Sequence, residues 1–401
     1  MRVGIYFDDV TPEKGGASSI LKTIENELVR IQDKYEILIC FNGGLKYSYK
    51  SVREGLTYIN VDRVRYKSIP KMFFKNTGNS IRNLGLRLFY HAPRKFRESY
   101  LDYLAEKEGI DLYWFTYPAD VDLATPFIYT IWDIGHRVMP AFPETTKPAY
   151  RWNGHEEQCA RMLAKATFIL TGNETGKKEI LENYSVMENK IRIVPFPITF
   201  FCYGEEEKPK FELPEKYFFY PAQFWPHKNH ICIVKAVSYL RKEKGIDAHV
   251  IFTGSDKGNK AYIQKMTQEL DVADLVHFAG FVSYEEMKYL YTHAVGMIFA
   301  SLMGPNNIPP IEAVYLECPL IITDIPGHKE QMGDAALYFD GYKPEELADR
   351  METLMVSDAA AQRQLEKQNE KRKEFIEYSY GDKIIDILDE FKLMRGTWYS
   401  D

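Results

Sequence analysis

Short hydrophobic runs alternate with amphipathic segments along most of the chain. Residues 2–7 form an apolar run of strand length, and residues 18–31 have helical spacing that places hydrophobic side chains on one face. Such alternation is typical of parallel sheets covered by helices, and it predicts an α/β fold. Further strands are predicted at residues 36–41, 112–115, 127–132 and 167–170.

The alternation stops at residues 196–214, which contain several prolines and an acidic run at 205–207. This composition is typical of a linker, and a second alternating series begins at Tyr217. A chain of 401 residues exceeds one typical domain, so we predict two α/β domains. Open sheets usually bind ligands at the carboxyl ends of their strands, which predicts a site in the cleft between the domains. Residues 380–398 form an amphipathic terminal helix.

Composition is that of a globular protein, with 45% hydrophobic and 27% charged residues. No apolar run approaches the roughly 20 residues needed to cross a bilayer. The first apolar run meets Asp8 and Asp9 too soon for a signal peptide. The five cysteines show no paired spacing, which favours reduced thiols. We therefore expect a cytoplasmic protein, one that can reach the inner face of the plasma membrane.

Residues 63–97 hold ten Lys or Arg and no carboxylate, interleaved with aromatic residues. Basic and aromatic side chains together suit a surface of anionic lipid headgroups, which predicts peripheral membrane contact. Nucleic acid would also be attracted to such a segment, but we expect no nucleic-acid partner. The alternative is a solvated loop and helix whose aromatic residues belong to the core.

Residues 301–313 contain the most specific chemical pattern of the chain. A strand at 295–300 leads through this loop onto the start of a helix, where backbone N–H groups favour an anion. The N–H groups of Asn306, Asn307 and Ile308 are available for a phosphate. Glu312, one turn into the helix, would repel phosphate but suits a vicinal diol, which together indicate a nucleotide-sugar site. The alternative is an ordinary strand–loop–helix corner with a solvated Glu312.

This loop resembles the signature of family 4 retaining glycosyltransferases, in a branch with an Asn-Ile-Pro-Pro donor loop. Five other segments are similar to motifs of that family and follow in the same order: residues 171–196, 219–230, 250–254, 276–283 and 325–340. The resemblance implies two Rossmann-like domains facing across a cleft. It places an acceptor-binding domain at residues 1–200, a nucleotide-sugar-binding domain at 214–380, and a terminal helix at 381–401 that packs back on the first domain.

The resemblance also assigns roles to individual residues. Lys228 and the amides of Asn306, Asn307 and Ile308 would hold the diphosphate, and Glu312 the ribose. Asp133 and His136 would contact the sugar or acceptor, and with Lys228 and Glu312 they form the expected catalytic set. Further donor-binding positions are Gly16, Gln223, Gly254 and Phe281.

Each of these assignments has a plain structural alternative. His136 would then be a histidine of the core, Gly15 and Gly16 an ordinary turn, and Lys228 a surface lysine. The sequence also departs from the family pattern at two positions, because the first signature Glu falls on Gly304 and a usual Arg falls on Gln223. Either the donor differs, or the chain is an inactive sugar- or nucleotide-binding homologue. An epimerase of the same architecture is a further alternative.

The activity implied is the transfer of a hexose, mannose first, from GDP-mannose or a UDP-hexose to a glycan hydroxyl with retention of configuration. A lipid-linked surface polysaccharide of the O-antigen or capsule type would be the acceptor. No metal or other cofactor is expected. Asp120 and Asp122 form a carboxylate pattern that holds a divalent ion in a different glycosyltransferase fold, but they lie far from the donor motifs.

Overall fold

The computed structural model describes residues 1–7, 16–42, 48–53, 55–62, 100–147 and 150–397. The basic segment 63–97, for which membrane contact was predicted, lies outside the described residues, as does Gly15.

The first sheet has eight strands in the spatial order β3-β4-β2-β1-β5-β6-β7-β8. All neighbours are parallel except β3 and β4, which pair antiparallel at one edge. The strands are Arg2–Phe7 (β1), Glu36–Phe41 (β2), Lys50–Arg53 (β3), Leu56–Asn60 (β4), Leu112–Phe115 (β5), Phe127–Thr130 (β6), Phe168–Thr171 (β7) and Ile191–Ile193 (β8).

The second sheet has six parallel strands in the order β11-β10-β9-β12-β13-β14. Relative to its own first strand this is the 3-2-1-4-5-6 order of dinucleotide-binding folds, and the strand order reverses between β9 and β12. The strands are Tyr217–Pro221 (β9), His249–Thr253 (β10), Val276–Gly280 (β11), Gly296–Phe299 (β12), Leu320–Thr323 (β13) and Leu337–Phe339 (β14). The predicted fold class, α/β with two parallel sheets, is confirmed.

Helices cover both sheets. Those of the first domain are Gly16–Ile31 (α1), Tyr100–Glu108 (α2), Gly135–Val138 (α3), Pro143–Thr146 (α4), Tyr150–Lys165 (α5) and Glu174–Asn183 (α6). Those that follow are His230–Tyr239 (α7), Lys260–Glu269 (α8), Tyr284–Thr292 (α9), Ile308–Tyr315 (α10), Pro326–Met332 (α11), Pro344–Val356 (α12), Asp358–Glu377 (α13) and Tyr380–Arg395 (α14). Short 3₁₀ turns lie at Phe200–Tyr203 and Pro226–Lys228.

The central strands are almost entirely apolar, with a threonine only at the ends of β6, β7 and β13, because helices cover both faces. Every residue of β5, β6, β7, β12 and β13 is buried. All five cysteines are buried free thiols. Among the described residues, no helix is long and apolar enough to cross a membrane.

The terminal helix α14 follows the second domain in sequence but packs on the first. The ring of Tyr380 stacks near that of Trp114 on β5, with 6.4 Å between centroids. Asp389 accepts a hydrogen bond from Lys34, just after α1, at 2.5 Å. Arg192 of β8 donates to Glu390 at 3.0 Å. These contacts hold α14 against the first domain.

Candidate functional site

A cavity opens at the carboxyl edge of the second sheet, next to the point where the strand order reverses. Its lining combines residues that follow β9, β10 and β11 with residues of α9 and α10, and α1 and the linker close it from the other side. The lining residues are Ser19, Phe201, Pro221, Ala222, Gln223, Thr253, Gly254, Ser255, Phe281, Val282, Tyr284, Met287, Ile308, Pro309 and Glu312.

Glu312 is the buried carboxylate of this cavity, with 5% of its surface exposed. Thr199 of the linker donates a hydrogen bond to Oε1 at 2.8 Å, and Tyr291 of α9 donates to Oε2 at 2.7 Å. Burial raises the pKa of Glu312 to about 7, although both hydrogen bonds favour the charged form. The alternative of a solvated Glu312 therefore does not match the structure.

Gly254 brings two strand ends together at the floor of the cavity. Its φ of 115° is strained for residues with a side chain, and a Cβ would lie 2.7 Å from the carbonyl oxygen of Ala222. Its N–H donates to Gly280 at 2.7 Å. A glycine here lets β9 and β10 approach closely, which leaves the backbone beside Gln223 accessible from the cavity.

Two other predicted donor residues lie at the cavity rim. Phe281, after β11, lines the cavity and is 61% exposed. The Gln223 side chain lines the cavity and accepts a hydrogen bond from the Trp225 indole at 3.0 Å. Gly16 begins α1, and Ser19 of the same helix lines the cavity.

Lys228 lies outside this lining, on the turn that follows β9. Its ammonium is 3.3 Å from the hydroxyl of Ser301, at the start of the donor loop, and 5.0 Å from the centre of the Phe299 ring. Burial lowers the pKa of Lys228 to about 8, against the opposing effect of Asp133 and Glu144 across the cleft. Lys228 is thus a half-buried cation facing first-domain carboxylates.

The two asparagines of the loop are not among the residues that line the cavity. The N–H of Asn307 donates to Gln331 at 3.2 Å, and its side chain bonds His328 at 3.0 Å. Asn306 accepts from Gln331 at 2.5 Å and packs on Gly172 of the first domain so closely that a Cβ there would lie 1.9 Å from Nδ2. Ile308 alone of the three predicted amide positions lines the cavity.

The same loop also joins the domains through hydrogen bonds. Asn173 caps α6 by accepting from Gly176 at 2.9 Å, and its Nδ2 donates to the carbonyl of Pro305 at 2.5 Å. Glu330 of the second domain accepts from the N–H groups of Glu174 and Thr175, both at 2.7 Å. A carboxylate at the start of a helix is well placed, because the N–H groups there lack intrahelical partners.

Asp133 and His136 have different surroundings in the structure. Asp133 is exposed, accepts from the Gly135 N–H at 2.9 Å, and borders a small second cavity with Glu179. His136 is 4% exposed, with Nε2 3.2 Å from both Glu156 and the hydroxyl of Tyr184. Burial lowers the pKa of His136. These contacts agree with the structural alternative for this histidine.

Three residues that lie at the cleft, Thr199, Tyr291 and Glu144, were not predicted from the sequence. Glu144 of α4 reaches the second domain, where its Oε1 accepts from the His227 N–H at 3.0 Å and lies 2.5 Å from the His227 Nδ1. Each of the three contacts a residue at least 21 positions away in sequence, so no local spacing could have indicated these contacts.

Within the described residues, no group of three or more His, Cys, Asp or Glu is arranged to hold a metal ion. Asp120 forms an ion pair with Arg161, and Asp122 lies 3.7 Å from Lys165. The cavity itself is lined by one carboxylate, Glu312, by residues at the ends of strands and by three aromatic residues, Phe201, Phe281 and Tyr284.

Comparison with known sequences agrees with this geometry. Residues 204–381 match the family described as Glycosyl transferases group 1. The chain is 30% identical over 180 residues to the O-antigen chain mannosyltransferase RfbU of Salmonella typhimurium, covering 44% of this chain and 47% of that protein. It is 30% identical over 128 residues to the serotype-specific mannosyltransferase WbdA of Escherichia coli, covering 32% of this chain and 16% of that protein. The chain thus spans less than half the length of these curated relatives.

Solved structures resemble the whole chain at low sequence identity. Sucrose-phosphate synthase from Thermosynechococcus elongatus has a TM-score of 0.71 at 13% identity, covering 99% of both chains. WaaG, a glycosyltransferase involved in lipopolysaccharide biosynthesis, has a TM-score of 0.67 at 14% identity, covering 96% of this chain and 99% of that one. Anabaena HepE, solved with UDP and glucose, has a TM-score of 0.65 at 13% identity, covering 97% and 100%.

The two sheets, the cleft cavity and these likenesses define the class: the chain has the glycosyltransferase fold with two Rossmann-like domains. Within that class, residues 204–381 match the model of the glycosyl transferases group 1 family. The fold and the family resemblance predicted from the sequence are confirmed.

Proposed function

We propose that the protein is a glycosyltransferase that moves a hexose from a nucleotide diphosphate sugar to a glycan hydroxyl with retention of configuration. The observation that supports this best is the position of Glu312. This carboxylate is buried in a cavity at the point where the strand order reverses. Gly254 and the exposed residue Phe281 line the same cavity. A ribose diol can bond both carboxylate oxygens, and a base can stack on Phe281.

The diphosphate would bind between the cavity and the ammonium group of Lys228. The ammonium of Lys228 can neutralise charge that develops on the leaving phosphate, and a half-buried cation acts more strongly there than one in water. In the reaction, the bond from the anomeric carbon to the phosphate oxygen breaks as the bond to the acceptor oxygen forms. The acceptor proton passes to the departing phosphate oxygen. Catalysis then depends on positioning and electrostatics.

Mannose is the proposed sugar, with GDP-mannose tested before UDP-hexoses. The support is that RfbU and WbdA are described as mannosyltransferases, and that RfbU acts on the O-antigen chain. A solved neighbour of the same fold holds UDP and glucose, so UDP-sugars belong in the same test. By the same reasoning we propose a glycan acceptor, lipid-linked and of the surface-polysaccharide type, met in the cytoplasm at the inner face of the membrane.

A donor panel tests the proposal. Purified protein is incubated with GDP-mannose, UDP-glucose, UDP-galactose or UDP-N-acetylglucosamine, with and without a lipid-linked glycan extract, and nucleotide release and products are measured. We expect nucleotide release with one donor that depends on acceptor, and a product with retained anomeric configuration. Sugar conversion without acceptor would indicate an epimerase. Binding without turnover in every arm would indicate an inactive homologue.

A further inference from the structure

A first-domain carboxylate faces the donor loop with one oxygen unsatisfied. The Glu144 side chain is 8% exposed, and its Oε2 is buried without a hydrogen-bond partner among the described residues. A buried charged oxygen with no partner costs free energy, so such an atom usually marks a position where a ligand or water donates.

His227 fixes the direction of this carboxylate. An ionised carboxylate can only accept hydrogen bonds, so the His227 Nδ1, 2.5 Å from Oε1, must be the protonated nitrogen. The backbone N–H of His227 donates to the same oxygen at 3.0 Å. Burial of the carboxyl group tends to raise the pKa of Glu144, but the hydrogen bonds from His227 outweigh this effect and hold the pKa below its ordinary value. With Oε1 held twice, Oε2 is left as the free acceptor.

Glu144 also lies beside the proposed diphosphate site. His227 precedes Lys228 in the turn after β9, and the Leu302 N–H of the donor loop donates to the His227 carbonyl at 2.9 Å. Residues 301–309 of that loop contain no carboxylate. In a nucleotide sugar the hexose follows the diphosphate, so a diphosphate at Lys228 would bring the hexose near a group of the opposite domain that lies next to Lys228.

We propose that Glu144 binds a hydroxyl group of the hexose being transferred, with Oε2 as acceptor. This assignment depends on the proposed function and adds a sugar-recognition residue contributed by the first domain. The chemistry selects a neutral O–H donor, because a second anion beside Oε2 would be repelled. The domains must separate for the donor to enter and close for this contact to form.

The test compares nucleotide sugar with free nucleoside diphosphate by isothermal titration. Glu144→Gln keeps the shape of the side chain but weakens it as an acceptor. We expect affinity for the nucleotide sugar to fall about ten-fold, because hydrogen bonds to charged groups discriminate strongly, while affinity for the nucleoside diphosphate stays within about two-fold. Glu157→Gln, an exposed first-domain carboxylate, is the matched control and should match wild type in both titrations.

Monodeoxy nucleotide sugars supply a readout that a structural role would not change. For the hydroxyl bound by Glu144, the deoxy donor should bind wild type weakly, and Glu144→Gln should remove the difference between deoxy and parent donors. If Glu144→Gln lost the same affinity for the nucleotide sugar and for the free nucleoside diphosphate, Glu144 would only hold the domains together, and the assignment would be overturned. Unchanged affinities for both ligands would also overturn it. If Glu144→Gln unfolds, Glu144→Asp, which retracts the carboxylate, is used with the same expectations.

Failure of the inference is distinguishable from failure of the proposed function. If wild-type protein binds no nucleotide sugar in the donor panel, both are overturned. If wild type binds and transfers but Glu144→Gln equals it with every deoxy donor, the inference alone is overturned.

Discussion

Glu312 combines burial with two hydroxyl donors, Thr199 and Tyr291, which is an arrangement suited to holding a carboxylate ready for ligand hydroxyl groups. Because burial disfavours the charged form, its pKa in the folded protein is about 7, against an ordinary value of 4.5. Between these two values the folded state binds one more proton than the unfolded state. Stability must therefore fall as pH rises through this window.

The first prediction concerns this pH dependence. The free energy of unfolding of wild type should decline relative to that of Glu312→Gln between about pH 5 and pH 8, by on the order of 3 kcal/mol, because Gln cannot ionise. Urea unfolding at several pH values measures it, and Glu157→Gln is the control. Parallel curves for wild type and Glu312→Gln would contradict the burial of a titrating Glu312.

The second prediction concerns Lys228. Lys228→Ala should reduce transfer ten-fold or more, about 1.4 kcal/mol in transition-state binding, because it removes the cation proposed for the leaving phosphate. Lys265→Ala, which removes an exposed lysine of α8, serves as control. Initial rates under subsaturating donor give the ratio. If Lys228→Ala transferred at the wild-type rate, Lys228 would not act on the leaving phosphate.

At the scale of elements, the turn after β10 is restricted by both backbone conformation and space. Gly254 and Gly258 each have positive φ, 115° and 99°, but a Cβ at Gly254 would lie 2.7 Å from the Ala222 carbonyl whereas none is crowded at Gly258. Substitutions at these two glycines therefore distinguish the cost of the backbone conformation from the cost of crowding by a Cβ atom.

The third prediction follows from that pair. Gly254→Ala should cost about 2 kcal/mol or more of stability and weaken nucleotide binding, because the strand ends must move apart. Gly258→Ala should cost about 1 kcal/mol through backbone conformation alone. Thermal unfolding with and without nucleotide checks both values. Equal losses in the two variants would show that crowding at Ala222 plays no part.

Sequence patterns located the buried elements well. The strands predicted at 2–7, 36–41 and 112–115 match the structure, and the helix predicted at 18–31 begins two residues earlier, at Gly16. These succeed because central parallel strands are continuous apolar runs. Lys50–Arg53 was missed because it is a largely exposed edge strand, and the four-residue helix Pro143–Thr146 is too short for any periodicity.

The site was predictable only as far as it is local in sequence. Gln223, Gly254, Phe281 and Glu312 each follow a strand of the same sheet, so fold topology alone gathers them at the cavity. Contacts between the domains could not be predicted, because Glu144 and His227 are 83 residues apart and meet only through the relative placement of two sheets. The asparagines of the donor loop were expected at the phosphate, but Asn307 bonds to Gln331 of the same domain and Asn306 packs on Gly172 of the first domain.

At the scale of the whole molecule, the domains meet through the donor loop and α6. Asn173 serves both sides of this contact, since its Oδ1 caps α6 and its Nδ2 donates to Pro305. Closure of the cleft is therefore coupled to the loop that leads into the Glu312 helix.

The fourth prediction uses Asn173→Asp, which keeps the cap oxygen but replaces the donor by a second oxygen facing the Pro305 carbonyl. We expect a more open cleft, seen as a larger radius of gyration in small-angle scattering, and a higher KM for donor, with little change in the stability of α6. Asn183→Asp, whose Nδ2 bonds within the same helix, is the control. An unchanged radius and KM would mean that this bond does not hold the domains together.

The central claim is that a nucleotide sugar binds across the cleft with its ribose on Glu312 and its diphosphate beside Lys228. A crystal structure of the protein with an unreactive analogue of its donor tests this most directly. We expect the ribose hydroxyls within hydrogen-bond distance of the Glu312 carboxylate, the base against Phe281, and the diphosphate between the cavity and the Lys228 ammonium. A nucleotide bound elsewhere, with Glu312 still occupied by Thr199 and Tyr291, would contradict it.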